Sequence, residues 1–157
     1  MNRWAPPGTI AAMNDANVTV RPATPDDAER LASLLTDEGY PAGGSDMAAR
    51  IERYGALGSP VLVADAGGEV VGFVTVLVLP RFEVDDLFAR ITSLVVDAGV
   101  RERGIGRLLM EAAEAQATAA GVAWLEVTAG HHRPDARRLF ESLGYDPGVA
   151  TYLRKRA

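Results

Sequence analysis

The segment from Leu94 to Arg107 constrains this chain more than any other. An apolar run, Leu94-Val95-Val96, ends in a short loop, and the turn Arg101-Glu102-Arg103-Gly104-Ile105-Gly106 feeds straight into a long helical pattern. Three consecutive apolar residues suit a strand buried on both faces. The helix is predicted over Gly104 to Ala120, with Ile105, Leu108, Leu109, Ala112, Ala115 and Ala119 on one stripe and Arg107, Glu111, Glu114 and Thr118 opposite. The first N–H groups of such a helix have no internal acceptor, and its dipole is positive there. Gly104 and Gly106 let an anion approach the main chain without meeting a Cβ. Arg101, Arg103 and Arg107 add positive charge beside it. The segment reads as a pyrophosphate cradle.

Other phosphate-binding turns compete for this geometry. Gly99 and Gly104 have the spacing of a P-loop, but Ile105 and Gly106 stand where that motif requires Lys and Ser or Thr. A dinucleotide fingerprint would need a glycine at Leu109 and would open the first strand–helix turn of the fold. Neither fits. Taken alone, a glycine-rich turn before a helix is more often plain chain geometry than a site, so the rest of the chain decides.

Residues 1–17, with Pro6-Pro7-Gly8 and Asn14-Asp15-Ala16-Asn17, are expected to form an N-terminal arm, and 18–157 a single domain. Val18 to Arg21 alternates as a strand. Thr24-Pro25-Asp26-Asp27 opens a helix that buries Ala28, Leu31, Leu34 and Leu35 and stops at Gly39. A second helix is predicted from Ser45 to Tyr54, burying Met47, Ile51 and Tyr54. Val61–Ala64 and Val70–Leu79 then read as strands joined by a Gly67-Gly68 hairpin. Strands at Ala89–Val96 and Trp124–Thr128 flank the long helix. A short helix over Pro134–Leu143 and a last strand at Thr151–Leu153 close the chain. This β-α-α-β-β-β-α-β-α-β order specifies a mixed α/β sheet.

Composition removes whole classes of function. Lys and Arg number 16 against 21 Asp and Glu, a net charge of −5, so neither nucleic acid nor an anionic membrane is an expected partner. Cysteine is absent, which excludes acyl-cysteine chemistry, disulfides and thiolate metal sites. The only two histidines adjoin one another, so no metal is expected. No apolar run approaches the roughly 18 residues of a membrane span. The opening residues lack a secretory signal, and a cytoplasmic location is expected. A homodimer is held open.

In its Arg-x-x-Gly-x-Gly turn after an apolar strand, the chain resembles the coenzyme A site of the GNAT N-acetyltransferase superfamily. The likeness spans residues 18–154. Val18-Thr19-Val20-Arg21-Pro22-Ala23-Thr24 resembles that family's opening strand and helix start, and Val70-Val71-Gly72-Phe73 its third strand. Ala136 through Leu139-Phe140-Glu141-Ser142-Leu143-Gly144-Tyr145 resembles its closing signature. The resemblance implies a mixed, mostly antiparallel central sheet with a splayed pair of parallel strands and flanking helices. It implies acetyl-CoA as co-substrate and a small-molecule or peptide amine as acceptor. By carry-over, Leu94 and Val96 offer main-chain bonds to the pantetheine arm, and Val95 points into the core. The N–H of Leu94 or Val95 steadies the oxyanion. The turn from Arg101 through Glu102, Arg103, Gly104, Ile105 and Gly106 to Arg107 holds the pyrophosphate. Arg133 stands where the family often has an asparagine on the cofactor arm.

The chain departs from the family at two positions. Phe140 occupies the place of the tyrosine that protonates the leaving thiolate, and Thr92 the place of a glutamate that assists deprotonation of the amine. His132 is the substitute candidate for proton transfer, with an unperturbed pKa of about 6.5. An acceptor pocket is expected between the two N-terminal helices and the loop from Leu79 to Phe88, lined by Tyr40, Glu83, Asp85 and Asp86. The competing reading is a non-catalytic acyl-CoA sensor that has kept the cradle and lost the chemistry.

Overall fold

The computed structural model describes residues 17–129, 133–148 and 155–156. The expected last strand at Thr151–Leu153 and, apart from Asn17, the expected N-terminal arm lie outside these residues. β1 (Val18–Pro22) leads through a single 3-10 turn into α1 (Ala28–Asp37), followed by α2 (Gly44–Ala56), β2 (Leu62–Ala66), β3 (Val70–Pro80) and β4 (Leu87–Val96). α3 (Ile105–Ala119), β5 (Trp124–Val127) and α4 (Pro134–Ser142) complete the order. The strands lie in one sheet in the sequence β1-β2-β3-β4-β5, antiparallel as far as β4 and parallel between β4 and β5.

Alternation of side chains across the strands gives the sheet two apolar faces. Val61, Val63, Phe73 and Val95 point to one face and are covered by Leu31 and Leu34 of α1 and Met47 and Ile51 of α2. Leu62, Ala64, Val74 and Ile91 point to the other and meet Leu108, Leu109, Ala112 and Ala113 of α3. The entry to α1 is fixed by Asp27, whose carboxylate accepts the Thr24 N–H at 2.7 Å and both terminal nitrogens of Arg21 at 2.8 and 2.9 Å. Those bonds, the Arg21 bonds foremost, hold the Asp27 carboxyl below its ordinary range.

The buried stripe of α3 is rotated from its expected position. Ala113, Gln116 and Ala117 are buried, whereas Ala115 and Ala119 are exposed. The helix is so rich in alanine that apolarity alone marks its faces weakly, and the inward side even includes a glutamine. Leu94 and Val96 are half-buried rather than enclosed, because each stands at an edge that β5 does not cover.

That edge follows from register. β5 pairs with β4 only from Phe88 to Ile91 and then diverges. At the same point Thr75 opposes Ser93 while Val76 opposes Ile91, leaving Thr92 as an extra residue on β4. This is a β-bulge, which bends the strand and reverses which backbone groups face which neighbour. The sheet therefore opens between β4 and β5 from residue 92 onward.

Candidate acyl-carrier and acceptor sites

Backbone parity assigns the groups along the open edge. The Asp97 N–H donates to the Val71 carbonyl at 2.9 Å. In an antiparallel ladder the bonded pairs alternate, so 95 with 73 and 93 with 75 are also bonded pairs, and 94 and 96 are not. Val95 thus gives its N–H to β3. Leu94 and Val96 turn theirs away from β3, into the opening. Of the two N–H groups expected to face a developing oxyanion, only that of Leu94 is free to do so. Val95 has its side chain in the core between the sheet and the N-terminal helices.

Beyond Val96 the chain is pinned by Asp97. Its carboxylate accepts the Gly99 N–H at 2.7 Å and pairs with Arg30, whose Nε donates to the Val70 carbonyl at 2.9 Å. These partners, the Gly99 N–H first, hold the Asp97 carboxyl below its ordinary range. The following turn needs left-handed backbone. Glu102 has φ 64°, alone among the described non-glycine residues in being positive, and Gly104 has φ 82° as the N-cap of α3. Gly104 faces open space, so its role there is conformational.

The helix start is electrostatically open. Leu108 is the first residue whose N–H is taken up by the turn, by the Gly104 carbonyl at 3.0 Å. The N–H groups of Ile105, Gly106 and Arg107 have no acceptor among the described residues. Among the described residues no side chain caps the helix, and no acidic residue lies in its first turn. Donors and dipole together favour an anion at this end.

Gly106 has a different setting from the one expected. A Cβ there would lie 3.0 Å from Leu139 Cδ2 and 3.9 Å from Val96 Cγ2, so this glycine admits α4 against α3. The arginines also divide. Arg101 donates to the Val96 carbonyl at 3.3 Å and pairs with Glu38. Arg133 pairs with the other oxygen of the same carboxylate. Arg107 donates to Ser142 Oγ at 2.8 Å and lies 3.9 Å from Glu111. Arg103 is exposed and has no partner among the described residues. Glu38, whose side chain is only 11 % exposed, ties the end of α1 to the turn and to the start of α4. Nothing in the sequence marks Glu38 except its place beside the stop at Gly39.

The two family departures lie in different surroundings. Phe140 is 7 % exposed, packed in the core under α3, with the Tyr145 ring centroid 6.0 Å away at a tilt of 60°. Thr92, in the bulge, shares a hydroxyl chain: its Oγ1 lies 2.7 Å from Thr75 Oγ1 and 3.1 Å from the Tyr54 hydroxyl. His132 lies outside the described residues. Among those described, no group of three or more His, Asp or Glu side chains could hold a metal ion. No described helix is long and apolar enough to cross a membrane.

A cleft of about 140 Å³ lies between α1, α2 and the sheet face carrying Phe73, Thr75 and Ser93. Its lining residues are apolar except for Tyr54, Thr75, Ser93 and Arg50. None of the four residues expected to line an acceptor pocket is among its lining. Tyr40 is 62 % exposed. Glu83 and Asp85 are exposed on the β3–β4 hairpin, and Asp86 lies 3.7 Å from Arg81 Nε within that same loop. The hairpin closes on itself, with the Arg81 N–H donated to the Asp86 carbonyl at 3.1 Å.

The family described as Acetyltransferase (GNAT) family matches residues 28–145. Among solved structures, a putative acetyltransferase from Agrobacterium tumefaciens superposes with a TM-score of 0.79 at 23 % identity, covering 88 % of this chain and 99 % of the other. A ribosomal-protein-alanine N-acetyltransferase from Brucella melitensis gives 0.75 at 21 % identity, covering 89 % and 99 %. A glucosamine-6-phosphate N-acetyltransferase from Arabidopsis thaliana gives 0.75 at 14 % identity, covering 88 % and 97 %. At these identities the likeness is one of fold. No curated protein matches the sequence.

Proposed function

The chain belongs to the acetyltransferase (GNAT) family, and from that premise we propose that it moves an acetyl group from acetyl-CoA to a primary amine by direct attack in a ternary complex. The observation that carries this reading is the conjunction of an open β4 edge with an uncapped helix start joined to it by the short link over residues 97–104. Acetyl-CoA, when bound, supplies an activated acyl group: a nitrogen–carbon bond forms, the carbon–sulfur bond breaks, and one amine proton ends on the sulfur.

The protein's part is largely positional. Main-chain groups of Leu94 and Val96 hold an extended amide-bearing arm as a neighbouring strand would. The N–H groups of Ile105, Gly106 and Arg107, with the free charge of Arg103, take the pyrophosphate. The Leu94 N–H stands ready for negative charge on the acyl oxygen. Holding the amine beside the thioester supplies much of the rate, and a thiol is a good leaving group. Phe140 cannot donate a proton. We assign proton transfer to His132, so His132→Ala should lower kcat by about tenfold or more.

Initial rates measured against both substrates should give intersecting lines, and chelators should leave them unchanged. Parallel lines together with an isolable acetylated protein would overturn direct transfer. The second reading, an acyl-CoA sensor without chemistry, draws support from Phe140. It predicts tight acetyl-CoA binding and no amine-dependent thiol release.

A further inference from the structure

We infer that the cleft between α1 and α2 selects amines that also carry an anionic group, read by Arg50; this rests on the acetyltransferase reading and names its acceptor class. Among the described residues that line the cleft one is charged, Arg50 of α2, and its charge is positive. Arg50 makes no ion pair or hydrogen bond with any described residue, whereas Arg21, Arg30, Arg90, Arg101 and Arg133 are all paired. Among the described residues no carboxylate lines the cleft to hold an ammonium group or to neutralise Arg50. A guanidinium presents a planar fork that fits carboxylate or phosphate oxygens.

The rest of the lining sets the shape of the ligand. Leu31, Leu35, Met47, Ile51 and Phe73 offer an apolar wall, suited to a short hydrocarbon portion. The volume of about 140 Å³ is comparable with the ~150 Å³ cavity that takes one benzene ring. That admits a small apolar amino acid. The hydroxyls of Thr75 and Ser93 mark the floor, and Ser93 precedes Leu94, whose N–H faces the carrier side. An amine lying over Ser93 is therefore next to the acyl group, with its anionic end toward α2. The acidic hairpin residues Glu83, Asp85 and Asp86 stand outside this lining.

The test uses matched acceptors that differ only in the anionic group. Leucine is compared with leucinamide, and an aminoalkylphosphonate with the corresponding aminoalkane, by thiol release from acetyl-CoA. The amide's amine is the less basic and so the more available in neutral form, so its own reactivity opposes the expected preference. The wild-type protein should favour the anionic member of at least one pair by about tenfold or more in kcat/KM. Arg50→Gln should reduce that ratio to within about twofold and still bind acetyl-CoA by calorimetry, which reports that the domain is folded. Arg50→Lys should retain an intermediate ratio. Turnover without preference, or a preference that survives Arg50→Gln, would overturn the inference and leave the acetyltransferase reading standing. Acetyl-CoA binding with no thiol release for any amine would overturn both.

Discussion

The two halves of the proposed site are built from different materials. The carrier half, from Leu94 to Arg107, is mostly main chain: strand N–H groups exposed by a bulge and helix N–H groups left without acceptors. The acceptor half is mostly side chains, drawn from α1, α2, β3 and β4 across more than 60 residues of sequence, Leu31 to Ser93. Backbone sites depend on chain conformation, and for the turn and helix start a contiguous motif specifies it. Side-chain sites depend on which distant faces meet, and any substitution on those faces can retune them. One half can stay fixed while the other changes acceptor.

The largest effect that would break this contrast is expected at Gly104. Its φ of 82° is one a β-branched residue adopts only with strain of about 1–3 kcal/mol. Gly104→Val should reduce acetyl-CoA affinity by about a hundredfold, read by calorimetry, with the circular-dichroism spectrum retained. Unchanged affinity would mean that the turn is only a connector. Gly106 makes a poorer probe, because added atoms there press on Leu139 and confound binding with packing.

A smaller change should sharpen the electrostatic part. Arg103 is exposed and unpartnered among the described residues, so Arg103→Glu should alter charge without altering fold. We expect about a tenfold loss of acetyl-CoA affinity at low salt, shrinking as ionic strength rises. A salt-independent loss would point to a conformational cause instead.

The smallest effect lies away from both halves. Asp27 is held below the ordinary carboxyl range by Arg21. A depressed folded pKa contributes stability that is fully present above the unfolded value of about 3.9 and lost as pH falls through the folded value. Asp27→Asn should therefore flatten the fall of Tm on acidification below about pH 4. Its acetyl-CoA affinity near neutrality should match the wild type. A changed affinity would show that the α1 entry and the carrier half are coupled.

How much could be read from the sequence follows the same division. Strand alternation, the Gly67-Gly68 turn and the run into α3 placed most elements to within a few residues. The parallel, splayed relation of β4 and β5 came from the family likeness, because it depends on pairing between segments more than 30 residues apart. The bulge at Thr92 has no local signature. Glu38 was missed because one carboxylate at a helix end looks like any solvated acid until Arg101 and Arg133 are seen on it. Arg50 was missed for the matching reason: it is an exposed charge on α2, and only the meeting of α1, α2 and the sheet gives it a cleft. The acids of the β3–β4 hairpin are legible as charges on a loop, but the pairing of Asp86 with Arg81 inside that loop is not.

The central claim is that backbone groups of two adjacent segments bind the acyl carrier together. Titrating the ¹⁵N-labelled protein with acetyl-CoA and following amide resonances tests it residue by residue. The Ile105, Gly106 and Arg107 amides should move together with those of Leu94 and Val96, at one common saturation point. The Val95 amide, already bonded to Phe73 across the ladder, should move least within the strand. Saturable binding that leaves Leu94, Val96 and the first turn of α3 unperturbed would contradict the account.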